Sequence, residues 1–105
     1  MTILDRFLKQ PAEIKRYQID YTEWLATSEG IVSVVEVVTL LNPAAGDVGE
    51  PTLTIDTTQI YVGGKIYEYY ANGGTDGKRY KVTFQATTSE AQIVESEIEF
   101  KVKDT

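Results

Sequence analysis

Three glutamates, Glu95, Glu97 and Glu99, follow one another at every second position near the carboxyl end of a 105-residue chain. Paired carboxylates can divide acid and base roles between them, and the spacing invites that reading. The i, i+2 spacing on a strand, however, lines all three along one wet face with Lys101 and Lys103, so a solvated, edge-protecting row is the expectation. Ser28, Ser33, Ser89 and Ser96 are candidate nucleophiles, but the chain has no histidine and no cysteine. A serine without a neighbouring base is unreactive, and both the commonest general base and the thiolate nucleophile are missing. Asp47, Glu50, Asp56 and Asp76 carry oxygen ligands of the kind calcium takes, yet no loop spaces them as a calcium loop does. We expect no enzyme activity and no metal or other cofactor.

The tyrosines are the other chemically distinctive set. Tyr61, Tyr67, Tyr69 and Tyr70 crowd one hairpin, and the adjacent Tyr69 and Tyr70 must face opposite sides of a strand. Two readings follow: the rings fill the core and cover the sheet, or one or more of Tyr67, Tyr69 and Tyr70 forms an outer platform for a partner protein or a sugar ring.

The elements that must carry these residues are nearly all β. Runs near 13–20, 31–40, 52–57, 59–62, 65–71, 79–88 and 92–103 have strand composition or period-2 alternation. Between them lie Gly- and Asn-rich connections, including Gly63-Gly64, read as a tight hairpin turn. Tyr80, Val82, Phe84 and Ala86, with Ile98, Phe100 and Val102, alternate with polar residues and define the buried faces of the last two strands. Valine on both faces of 31–40 (Val34, Val35, Val37, Val38) implies cover on both sides, by the amino-terminal segment or by a partner.

About seven short strands without a long helix predict an all-β, antiparallel sandwich. Asp76-Gly-Lys-Arg-Tyr80 has the form of a tyrosine corner, which makes the sandwich immunoglobulin-like. Asp20-Tyr-Thr-Glu-Trp-Leu25 reads as a single helical turn carrying Trp24 and Leu25 inward to close one end.

The segment before Pro11 has a different pattern. Ile3 with Phe7 and Leu4 with Leu8 are i, i+4 pairs behind a Thr2 cap, predicting a short amino-terminal helical arm over 1–12, ahead of a sandwich domain over 13–105. Too short to persist alone, this arm either covers its own domain or docks on another subunit. Ile3, Leu4, Phe7 and Leu8 are therefore candidate partner-binding residues.

Net charge is −6, with ten basic residues scattered among sixteen acidic ones. Such a surface gives no counterion-release gain on nucleic acid, so nucleic-acid binding is not expected. Asp5 interrupts what would be the apolar run of an export signal, and the apolar stretch Ile31–Leu41 is too short to span a bilayer, so no export and no membrane association are expected.

Taken together, Lys9-Gln-Pro11, Asp20-Tyr-Thr-Glu-Trp-Leu25, Gly73-Gly-Thr-Asp-Gly77 with Tyr80, and the terminal Glu99-Phe-Lys-Val-Lys-Asp104 resemble the fibre–tail adaptors of tailed bacteriophages and prophages, over nearly the whole chain. The resemblance implies a small, immunoglobulin-like, non-enzymatic virion protein that joins tail and fibre components. Its partners would be other virion subunits, with a ring of copies in the particle as one arrangement. Its location would be the virion, and the host bacterial cytoplasm during assembly. The alternative is a carbohydrate-binding module that uses its surface tyrosines.

Overall fold

A computed structural model describes residues 3–61 and 63–104, with Ile3 and Leu4 described by their backbone alone. Seven strands form two sheets. They are β1 (Ile3–Lys9), β2 (Ile14–Asp20), β3 (Ile31–Leu40), β4 (Leu53–Tyr61), β5 (Ile66–Gly73), β6 (Arg79–Thr88) and β7 (Ile93–Val102). One sheet runs β1-β7-β6-β3 and the other β2-β5-β4. All pairings are antiparallel except β1 with β7, which is parallel. Apart from its first strand, this is the two-sheet division of an immunoglobulin-like sandwich; β1 joins the sheet of the last strand instead of pairing with β2.

The inner faces follow the alternation. On β6, Tyr80, Val82, Phe84 and Ala86 are buried, and on β7 Ser96, Ile98, Phe100 and Val102 are buried. From the facing sheet come Tyr67, Tyr69 and Ala71 of β5, Ile19 of β2 and Leu53 of β4. The rings form a continuous chain across the core. Phe7 lies 4.6 Å from Tyr17, Tyr17 lies 5.6 Å from Tyr69, and Tyr69 lies 4.8 Å from Phe84, centroid to centroid. Offset and tilted contacts at these separations add to the burial of the rings themselves.

The amino-terminal segment corrects the helical expectation. Residues 3–9 are a strand in register with β7, pairing Phe7 with Phe100 and Lys9 with Val102. A helix would leave the outer edge of β7 unpaired, whereas a strand satisfies those backbone groups and turns Phe7 toward Tyr17 and Phe100. Thr2, the expected cap, lies outside the described residues. Lys9 is wholly buried, and its Nζ donates to the carbonyls of Gln10 (2.9 Å) and Gly73 (2.6 Å). Burial holds its ammonium below the usual lysine value, with only partial compensation from Glu13.

Other expectations shift as well. The separate strands near 52–57 and 59–62 are one strand, β4, broken by a register shift between Asp56 and Gln59 where Thr57 takes φ 50°. Four residues, not two, connect the last β4–β5 pair, Tyr61 with Ile66. Glu95, Glu97 and Glu99 do not guard an edge, because β7 is flanked by β1 and β6. Instead they meet cross-strand partners on β6: Gln85 donates to Glu95 at 2.6 Å, Lys81 pairs with Glu97 at 3.1 Å and Arg79 with Glu99 at 3.6 Å.

Candidate functional site

The end of the sandwich near β1 and β2 holds the tryptophan turn. Asp20 Oδ1 accepts from the backbone N–H of Thr22 at 2.9 Å just ahead of a 3-10 turn over Thr22–Trp24. It is Tyr21, not Trp24, that is buried here: Tyr21 is fully inside, while Trp24 remains 41% exposed and touches Tyr21 edge-on at 5.3 Å. The expectation that Trp24 plugs the sandwich is thus corrected: the ring that closes this end is Tyr21, three positions earlier and just ahead of the turn. A hollow of about 190 Å³ opens beside it, lined by residues including Asp5, Phe7, Gln18, Asp20, Trp24 and Ile98. That is below the 300 Å³ or so at which small-molecule sites usually begin. Among the described residues, no three Asp or Glu side chains gather as a metal would require.

At the opposite end, the tyrosine corner is present. Tyr80, buried at the start of β6, accepts from the backbone N–H of Thr75 at 2.9 Å and donates to Glu50 Oε1 at 2.7 Å. Thr75 Oγ1 donates to Glu50 Oε2 at 2.5 Å, and the Thr52 backbone N–H donates to Oε1 at 2.9 Å. Burial pushes the Glu50 carboxyl up, but the hydrogen bonds from Thr75, Tyr80 and Thr52 outweigh it and hold the group below the usual glutamate value. Gly74 lets the loop pass: at φ 96° a Cβ there would stand 2.6 Å from Cγ2 of Val102. Another acid, Glu29, is buried; it accepts from Thr88 Oγ1 and from the backbone N–H of Ala26, and these bonds lower its carboxyl in the same way. These groups brace loops, and their oxygens are occupied.

The two outer faces differ. On the β2-β5-β4 sheet the outward residues form a polar network around Glu68, which accepts from Tyr61 Oη at 2.9 Å and Gln18 Nε2 at 3.1 Å and lies 3.9 Å from Arg16 Nε. Tyr70 faces outward here, half-buried, opposite Arg16 and Asp56. Tyr67 and Tyr69 point the other way and are closed off in the core, so of the three tyrosines proposed as a platform only Tyr70 reaches the surface. Tyr61, the fourth tyrosine of this hairpin, is also half-buried at the end of β4 and joins the outward network through Glu68.

Of the candidate partner-binding residues in the amino-terminal segment, Phe7 packs against its own core, and Leu8 turns outward at 55% exposure. The side chains of Ile3 and Leu4 lie outside the described residues.

The outer face of the other sheet is most continuously apolar along β3, with Leu8 of β1 and Ile93 of β7 as isolated exposed apolar residues elsewhere. Val35 and Val37 are 58% and 54% exposed, with Val32 similar at the strand's start. The expected cover from the amino-terminal segment does not reach them, since β1 lies at the opposite edge of that sheet. The inward side of β3 presents Val34, Glu36 and Val38, all half-buried, and the Glu36 carboxylate accepts from Tyr67 Oη. Burial first, then the Glu36 hydrogen bond and charge, push the Tyr67 hydroxyl well above its usual value.

No curated protein matches the sequence. A protein-family model does, across residues 9–101, which takes in every strand from β2 to β6 and nearly all of β7. On that match the chain belongs to the family of the podophage GP4 fiber-tail adaptor protein gp77.

Proposed function

We propose that this chain is a non-enzymatic structural adaptor of a tailed-phage or prophage particle, joining tail and fibre components through protein–protein contacts alone. The observation that carries the reading is the extent of the family match: residues 9–101 take in β2 to β6 and nearly all of β7, which supports an adaptor role carried by the surfaces of these strands and their loops. Glu29, Glu50, Thr75 and Tyr80 are engaged in bracing the loops, which leaves recognition to the outer faces, the strand edges and the loop at 41–52. Its partners are other virion subunits, it resides in the virion, and assembly takes place in the host cytoplasm. With a formal charge of −6 it meets these subunits and not nucleic acid.

Tyr67 and Tyr69 lie in the core, which removes two of the three rings on which a carbohydrate platform would be built. The test of the adaptor reading is co-purification: the full-length chain, tagged and expressed with the tail and fibre subunits of its phage, should be retained with at least one of each.

A further inference from the structure

Two sheets give four edge strands, and three of them are protected. β1 carries Asp5, Arg6 and Lys9 and is closed against β2 by the Phe7–Tyr17 contact; β2 carries Lys15, Arg16 and Asp20; β4 is broken by its bulge at Thr57. Charges and bulges of this kind keep edges from pairing with foreign strands. β3 has neither. From Ser33 to Leu40 it runs in unbroken one-to-one register with β6, and its outer edge has no strand beyond it. It exposes Val35 and Val37, and its single charge is Glu36.

Glu36 says what kind of strand fits. It stands opposite Phe84 on the inward side, and no basic group among the described residues forms an ion pair with it. Ser33-Val-Val-Glu-Val-Val-Thr39 also reads almost the same in both directions about Glu36. A second copy pairing antiparallel in the register that aligns all four valines would therefore set Glu36 against Glu36, and like charges directly opposite on neighbouring strands repel. The charge that discourages self-pairing attracts a complementary one.

We propose that β3 is an acceptor edge for strand addition. Its occupant is an extended segment of another protein chain that places a lysine or arginine opposite Glu36, with apolar residues flanking it opposite Val34 and Val38. Backbone hydrogen bonds to the free edge hold the segment, and the charge and the valines select it. The inference rests on the adaptor reading for its biological setting, but its test does not. Co-purification with tail and fibre subunits can succeed through another surface, and the β3 edge can accept a strand in isolation.

The probes are two short acetylated peptides with the pattern Thr-Val-Val-X-Val-Val-Thr, X being lysine in one and glutamate in the other. Each is titrated into the full-length protein while amide hydrogen exchange is followed residue by residue. The lysine peptide should slow exchange along β3 and bind about fivefold more tightly than the glutamate peptide. Glu36→Gln, which keeps an acceptor for Tyr67, should bring the two peptides to within about twofold. Val35→Lys, which sets a charge on the outer face of the edge, should weaken both. Equal affinities for the wild type, slowed exchange on β1, β2 or β4 in place of β3, or no slowing at all would overturn the proposal. So would slowing of β3 exchange with protein concentration alone, which would make the occupant a second copy.

Discussion

The hydroxyl of Tyr80 donates to Glu50 Oε1 at 2.7 Å while accepting from the backbone of Thr75, so a single phenol joins the start of β6 to two of the loops at that end of the sandwich. Removing it leaves a charged, partly buried carboxylate and a backbone N–H short of a partner. Tyr80→Phe should cost about 1.5–3 kcal/mol, the range for hydrogen bonds to charged groups. Tyr69→Phe is the control. Its buried hydroxyl has no hydrogen-bond partner among the described residues, and its loss should change stability by less than about 1 kcal/mol. Denaturant midpoints of the two variants, compared at constant m-value, check the contrast.

The same corner sets a pH dependence. The folded-state carboxyl of Glu50 lies below its ordinary value of 4.5, so its stabilising contribution is complete above about pH 4.5 and disappears as pH falls through the lower folded value. Glu29 is lowered too and acts in the same window, and Asp47, also lowered, acts below its own ordinary value of 3.8. Melting temperature should decline below about pH 4.5. Glu50→Gln should melt lower at neutral pH and show a shallower acid decline. An identical acid slope in the variant would mean that Glu50 is not a contributor.

Phe84 and Phe100 are both fully buried and sit in the aromatic chain between the sheets. Phe84→Ala or Phe100→Ala should each cost about 3–5 kcal/mol, a large share of what a domain this size has. Chemical denaturation followed by far-UV circular dichroism would measure it, and wild-type midpoints would contradict the core described here.

Deleting residues 1–10 should damage the fold. The deletion removes β1, the buried Lys9 and the Phe7 ring, and it exposes the full edge of β7. Since about 1 kcal/mol moves the melting point of such a domain by roughly 4–8 °C, a fall well beyond 10 °C or outright aggregation is expected. A deletion variant melting within a few degrees of the full chain would show that β1 contributes little.

Much of this architecture is legible in the sequence, and the exceptions share a cause. The faces of β6 and β7 follow from alternation, and the tyrosine corner from Asp76-Gly-Lys-Arg-Tyr80, because both are local patterns that the buried face alone enforces. Ile3 to Leu8 misleads because its i, i+4 apolar pairs fit a helix as well as a strand does. The choice is made by the unpaired edge of β7, more than ninety residues further on. Trp24 misleads because size suggests burial, while the ring that goes inside is Tyr21, just before the 3-10 turn. Tyr67 and Tyr69 alternate with Glu68 and Tyr70, so the faces are readable, but which face is the inner one depends on the opposing sheet. The open edge at β3 was invisible for the same reason: edges are a property of strand order, which no single strand encodes.

The adaptor role is most directly measured on particles made with and without this chain. Its gene is deleted from the phage or prophage, and purified particles are analysed for composition by mass spectrometry and for fibres by electron microscopy. The wild-type particle should contain the chain, and the deletion should yield tailed particles without attached fibres, restored by the full-length protein. Fully fibred particles from the deletion, or wild-type particles lacking the chain, would contradict it.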